Sequence, residues 1–482
     1  MAFSRSKTNA SDEKKKRGDD GSVVTQSRLN AEEAAIEEAK DTVEDAVFGE
    51  QGGEDTVNYR SLGWIGASVL IVKSQVGVGV LSLPSAFGTL GLVPGLLVFF
   101  FFAITTGWTD YYIGVFKMNH PGVYSLSDCG ELMFGPVGRE VFGVAYWFFC
   151  TMTAGSAFLT LSTGLNAISL HGACTAIFVA IAAIVTFPLA SIRTLDRVRW
   201  LGWPALISII SAVLVALIAI ATGRPSLAPQ TGPYTIEVVK FGNPSFANGM
   251  NAVASIFFAF SGTPAFLPIA SELRNPRDYK KAVILGQGFV VVFYLVVATV
   301  VYVEAGQYVA SPALGTAGVL IKRISYGLAL PGLFFTAFFY THLPAKWMFF
   351  RILRNSHHLT HGTKTHWVVW LACTGGCTLF SYIISSAVPT FNGLVGLISA
   401  LFGTMLTLNA EALMYLYDNR SFLRGGSQRS MLKTLGIAFN ISLLVVASFI
   451  LVAGTYGSAI TIKEDAAEGG KPWSCADNSG SV

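Results

Sequence analysis

The chain has 482 residues, of which 52% are hydrophobic and only 13% charged. That is too apolar for a soluble enzyme, and the formal charge of +4 says little until its distribution is read. Six cysteines lie scattered without CxxC or Cys/His metal spacing, and GxxxxGK[ST], GxSxG and HExxH are all missing. No enzyme activity, cofactor, metal or nucleic-acid partner is expected.

Residues 1–60 are polar and charged and do not read as a cleavable signal peptide. A basic cluster (Lys14, Lys15, Lys16, Arg17) precedes the acidic run AEEAAIEEAKDTVED, where Ala34, Ile36 and Val43 are too sparse to build a core. The run predicts a short amphipathic helix at most, in a largely disordered cytosolic tail. A lipid surface, ubiquitin machinery or a kinase are the partners such a tail suits.

The first apolar run, about 64–88, is long enough to cross a bilayer. At its centre, LIVKSQVGVGVLSLP (Leu70 to Pro84) carries Gly77-Val78-Gly79 just after Lys73 and Gln75. Glycines among β-branched neighbours favour unwinding, which leaves backbone groups without helical partners. Inside a membrane such a break must face protein, water or a ligand. Half-helix amides attract an anion and half-helix carbonyls a cation, and a free amino acid carries both. The plainer alternative is a glycine pair that lets helices pack closely.

Further spans follow at about 92–116, 140–169, 173–190 and 200–222, with a polar loop from Lys117 to Arg139. A longer loop, 223–245, holds Pro225, Pro229 and Pro233. Spans six to eleven lie near 246–270, 282–304, 325–350, 366–388, 391–416 and 434–457, and a short polar tail, 458–482, closes the chain. With the N-terminus inside, twenty-six of the 33 Lys and Arg fall on inner segments and six on outer ones. This bias predicts a cytosolic N-terminus and an outer C-terminus. On that topology Cys174 and Cys475 are the two outer cysteines, so they can pair there.

Span six reads SIFFAFSGTPAFLPIASEL, with Ser261-Gly262-Thr263-Pro264 in mid-membrane. Alone it is an ordinary proline kink. Spans one and six, however, are separated by five crossings and run in opposite directions. Paired interrupted helices in two inverted halves point to a transporter binding site, as in the leucine-transporter fold. The predicted fold is therefore an all-α, polytopic membrane protein. Repeat one covers about 61–222, repeat two about 246–417, and the eleventh helix about 434–457, all within a 61–457 transporter domain.

Four stretches then share a resemblance: VGVGVLSLPSAF (76–87), FAFSGTPAFLP (258–268), SELRNPRDYKKA (271–282) and VPTFNGLVGLISA (388–400). They resemble the amino acid/auxin permease family across roughly 57–457, and the tail is similar to that of fungal neutral amino acid permeases. The resemblance implies eleven helices, the leucine-transporter fold and secondary transport of amino acids, usually proton-coupled. It leaves the substrate open.

On this reading Gln75 and the amides of Gly77, Val78, Gly79 and Val80 face the substrate carboxylate. Carbonyls near Phe260 and Ser261 face its ammonium, and Gly262 and Thr263 complete the second break. Span three offers a wall through Tyr146, with Trp147, Thr151 and Thr153 beside it, although aromatics there are commonly packing. Phe257, Phe258 and Phe260 are expected to pack, with one of them able to close the pocket. Few acids and many aromatics favour a neutral, large aliphatic or aromatic substrate.

Ionisable residues inside a membrane are functional by default. Lys73 is expected to replace a coupling cation and exchange a proton, with Thr336, Tyr340 or Thr341 as partner. Glu411 is expected either to pair with a basic side chain or to exchange protons. Asp110 and His342 are expected near enough to the inner surface to be solvated. Glu272, Arg274 and Lys281 are expected on an exposed inner face. The function expected is proton symport of neutral amino acids, in the plasma membrane or alternatively the vacuolar membrane. The alternative is an amino acid sensor with the same fold.

Overall fold

The computed structural model describes residues 43–45, 49–51, 62–192, 195–354, 356, 358, 363–388, 390–423, 430–467 and 471–480. The basic cluster and most of the acidic run lie outside the described residues. The chain divides into two units, Met1–Ser61 and Leu62–Val482. In the first, strands β1 (Val43–Asp45) and β2 (Gly49–Gln51) pair antiparallel, so the end of the acidic run is extended rather than helical.

The second unit is helical. Helix α1 (Trp64–Gln75) stops at the first glycine pair, and a 3-10 turn (Gly79–Leu81) leads into α2 (Leu83–Leu90), bent by 43° from α1. Next come α3 (Leu92–Asn119), α4 (Leu126–Ser169), α5 (Thr175–Ala190) and α6 (Leu195–Thr222). Helix α7 (Phe246–Phe260) breaks at Ser261-Gly262 and resumes, after a turn at Thr263–Ala265, as α8 (Phe266–Ser271). Helices α9 (Tyr279–Ala305), α10 (Val319–Ile352) and α11 (Lys364–Ala387) follow. Helix α12 (Phe391–Ile398) continues through π-helical stretches Ser399–Gly403 and Met405–Asn409 into α13 (Ala410–Asp418). A short α14 (Arg420–Leu423) precedes α15 (Met431–Ala467).

Among the described residues nine helical stretches are long and apolar enough to cross a membrane, and the bent α1–α2 pair makes a tenth. The remaining expected span, α5, is an apolar helix of 16 residues, slightly short of the roughly 17–25 that a crossing uses. The protein is a multi-pass integral membrane protein.

Two boundaries differ from expectation. The polar loop after α3 ends early because Ser125 and Asp128 form a capping box that starts α4 at Leu126. Gly135, with φ of 70°, and Pro136 then kink that helix before its apolar part. At the other end, α15 runs ten residues past the expected limit of span eleven, so the closing tail is partly helical.

Burial follows the breaks. In the most apolar stretch of α7–α8, 94% of residues are buried, against 28% in α15, as exposed backbone groups at a break require. Helix α10 packs on α4 and α6, α15 flanks α7, and α9 flanks α1. Just before α1, Leu62 forms a parallel bridge with Leu273: its amide donates to the Glu272 carbonyl (3.2 Å), and the Arg274 amide donates back to the Leu62 carbonyl (3.0 Å). Nearby, Lys281 pairs with Asp278 (2.8 Å), and Tyr124 donates to the Glu272 carboxylate (3.5 Å).

Cys174 and Cys475 are bonded, with Cα atoms 4.4 Å apart. The tail around this bond is fastened across several helix ends. Asn166 donates to Asn478 (2.7 Å), Thr175 to the Ala476 carbonyl (2.6 Å), and Lys322 to the Ser479 carbonyl (3.0 Å). The Trp473 amide donates to the Ser386 carbonyl (3.0 Å). Since the bond joins residues 301 apart, Cys475→Ser should cost about 2–4 kcal/mol of stability. A fall of several degrees in the melting midpoint of detergent-purified protein is the expected result. An unchanged midpoint would assign the tail's hold to its hydrogen bonds.

Candidate substrate site

The two breaks meet. A Cβ built on Gly262 would lie 2.5 Å from Gln75 Cγ and 2.9 Å from Ser74 Oγ, so only glycine lets the second break lie against the end of α1. Val76 is extended (φ −73°, ψ 98°), and among the described residues no backbone carbonyl receives the amides of Gly77 or Val78. Across the interface, Pro264 stands four residues after Phe260, where its missing N–H would have served that carbonyl. Free amides on one side and an unserved carbonyl on the other are what a zwitterion needs.

Lys73 organises the first break. Its ammonium donates to the Val76 carbonyl (3.0 Å) and to Thr336 Oγ1 of α10 (2.9 Å), and sits 5.4 Å from the Phe335 ring centre. Thr336 in turn donates to the Gly332 carbonyl (3.1 Å), and Tyr340 donates to the Ser74 carbonyl (2.6 Å). The end of α1 is thus held to α10 by two hydrogen bonds, Thr336 accepting from Lys73 and Tyr340 donating to Ser74. Lys73 itself is buried.

Around this point lies a narrow cleft, with about 300 Å³ of empty space when its open mouth is counted. Lys73, Gln75, Gly77, Val78, Gly79, Ser261, Gly262, Thr336 and Tyr340 line it, as do Thr153 and Phe258. Lys73 is the charged residue among the lining side chains. The cleft is too tight for a bulky molecule, which enters only as side chains move.

Several expected residues lie elsewhere. Val80 is buried in the core behind the break. Phe260 packs edge-on between Phe99 (5.3 Å) and Tyr294 (5.7 Å). Thr341 donates to its own helix at Ala337 (2.8 Å). Tyr146 is buried near Cys150, away from the lining. Thr151 likewise donates to the Trp147 carbonyl (2.8 Å), and the Trp147 ring packs at a tilt against Phe380 (4.8 Å). Thr263 turns away and donates to Asp110 (2.9 Å), while Glu411 lies near Asp110 rather than in the cleft. Asp110 and His342 are fully buried rather than solvated, because neighbouring helices cover them. His342 Nδ1 bonds the Ala190 carbonyl (3.1 Å).

Sequence reading missed Ser74 and Phe149, which line the cleft. Phe149 lies one helical turn before Thr153, so the i, i+4 rule applied to that threonine would have reached it. The glycines also divide. A Cβ on Gly77 would meet the tip of Thr336 at 2.7 Å, whereas one on Gly79 would meet the Ala259 main chain at 2.8 Å. Gly77 opens space at the cleft; Gly79 allows close helix packing.

A family model described as transmembrane amino acid transporter protein matches residues 60–457. The chain belongs to that family. This transporter is 35% identical over 435 residues to a "Transmembrane transporter" of Gibberella moniliformis, covering 90% of this chain and 91% of that one. It is 31% identical over 430 residues to the "N amino acid transport system protein" of Neurospora crassa, covering 88% and 90% respectively. Among solved structures it is similar to Mhp1, a nucleobase-cation-symport-1 family transporter in a closed conformation with bromovinylhydantoin bound. That match has a TM-score of 0.52 at 12% identity and covers 88% of this chain and 96% of the other. The transporter therefore has the leucine-transporter fold that its paired breaks predict.

Proposed function

We propose that the protein is a proton-coupled symporter of neutral amino acids, working by alternating access around its two broken helices. The observation that carries this reading is the meeting of the breaks beside Lys73 and its bonds to Val76 and Thr336. The amides of Gly77 and Val78 take the carboxylate, and the carbonyl of Phe260 with the unpartnered Oε1 of Gln75 takes the ammonium. Phe149, Phe258 and Tyr340 provide an uncharged wall for the side chain, which suits aliphatic or aromatic substrates. Lys73 stands in for a bound metal cation at the broken end of α1, so sodium is not required. The name of the Neurospora crassa relative agrees with an amino acid as cargo.

The N-terminus is cytosolic and the Cys174–Cys475 end faces outward, in the plasma membrane or the vacuolar membrane. Both the distribution of basic residues and the disulfide support this, since such bonds persist in oxidising compartments. On this topology the N-terminal segment lies on the side of ubiquitin and kinase machinery, its proposed partners.

Purified full-length protein in proteoliposomes, offered labelled leucine, phenylalanine, lysine and glutamate, tests the reading. An inward proton gradient should drive accumulation of the neutral pair, and a sodium gradient should not. Sodium dependence or a preference for lysine would overturn it. No uptake under any gradient would favour a receptor that keeps the fold.

A further inference from the structure

Behind the second break, two buried carboxyl groups lie on the packed helices α3 and α13. Asp110 of α3 is fully covered, and Glu411 of α13 is 1% exposed and lies within electrostatic reach of it. Both Glu411 oxygens are buried, and the hydroxyl of Thr109 is the donor within reach of them. Among the described residues no Lys, Arg or His forms an ion pair with either acid. The other groups facing the pair are neutral or hydroxylic: Thr109 on α3, Thr263 in the break, Gln287 and Tyr279 on α9, and Cys129 on α4, which has Asp128 and Lys117 behind it.

Two carboxylates in one dry site without a cation cannot both stay ionised, so the site holds a proton. Asp110 is also wired to both breaks. One oxygen accepts from Thr263 (2.9 Å) and the other from Gln287, whose own carbonyl oxygen accepts from Gln75 at the end of α1 (3.2 Å). The Tyr279 hydroxyl donates to the Asp110 backbone carbonyl (3.2 Å). A second carboxyl proton on Asp110 would compete with Thr263 or Gln287 for its acceptor positions. When both acids are ionised, their repulsion favours parting α3 from α13 and admitting water.

We propose that Asp110 and Glu411 form a proton-holding pair, separate from Lys73, whose charge state is passed to the two broken helices through Thr263 and the Gln287–Gln75 link. The proposal rests on proton coupling as the mode of transport. Its chemistry is a proton moving between a carboxylate oxygen and water, with no other bond made or broken. The two π-helical stretches just before Glu411 supply a local irregularity in α12–α13 of the kind found at functional sites.

Infrared spectroscopy of the purified full-length protein at neutral pH tests the pair without requiring transport. The carbonyl stretch of a buried protonated acid should be present in the wild type, weaker in Asp110→Asn and in Glu411→Gln, and lost in the double variant. A band that survives the double substitution overturns the proposal. In proteoliposomes the ratio of pH-driven accumulation to counterflow should fall about tenfold or more in Glu411→Gln; a wild-type ratio overturns the coupling role. If the wild type itself ignores the pH gradient, the symport reading fails, and the infrared band still decides the pair. A band that shifts on adding sodium would replace the proton with a bound cation and overturn the proposal.

Discussion

Lys73→Ala should abolish concentrative uptake under a pH gradient, lowering accumulation about tenfold or more, while substrate binding or exchange survives. The ammonium is the donor that holds the Val76 carbonyl outside the helix, and it ties that carbonyl to Thr336 on α10. Removing it leaves a buried carbonyl without its donor, a loss of about 1–3 kcal/mol at the break itself. It also strips the cleft of its charged lining side chain. The breaks would still form, because their glycines and Pro264 remain. What goes is the tie from the Val76 carbonyl to Thr336, while the Tyr340 bond to the Ser74 carbonyl remains. Parallel measurements of counterflow and of gradient-driven accumulation in proteoliposomes check this. Accumulation at the wild-type level would reduce Lys73 to a residue that merely packs.

The second large effect belongs to Gly77. Gly77→Leu should leave a folded, membrane-inserted protein whose substrate affinity is weakened by roughly 100-fold or more. A Cβ there meets the movable end of Thr336, and the branched side chain fills the space before the free amides. Gly79→Leu should behave differently. Its Cβ presses on the main chain of Ala259, which cannot swing aside, so α7 must shift at a cost of about 1–3 kcal/mol. Binding of labelled substrate, set beside the yield of monodisperse protein, separates the two. Normal affinity in Gly77→Leu would mean that the substrate does not sit at these amides.

The breaks were legible because their causes are local. Gly77 and Gly79 loosen α1, and Pro264, four residues on, deprives Phe260 of a donor. The length of the apolar spans follows in the same way, down to the doubtful case of α5. Asp110 was not legible. Beside Trp108, Tyr111 and Tyr112 it reads as a residue near the membrane surface, yet Thr263 and Gln287, more than 150 positions away, bury it. His342 was misplaced for the same reason, its partner being Ala190. Phe260 shows the limit of reading a break by proximity. It adjoins Ser261, but its ring points to Phe99 and Tyr294 and only its carbonyl faces the problem of the break. Glu411 was recognised as costly, although its companion turned out to be another acid.

The bridge between Leu62 and Leu273 clasps the start of one broken span to the end of the other, and it is made of main-chain atoms alone. Every amino acid but proline carries the same amide and carbonyl, so the two bonds themselves ask for no particular side chain, although Leu62 and Leu273 are also packed in the core. Such a fastening leaves no signature letter to be selected. Alanine at Leu62 or Leu273 would report the loss of a buried side chain and leave these bonds in place, so a proline at 62 or 274, which removes the amide itself, is the change that opens the fastening.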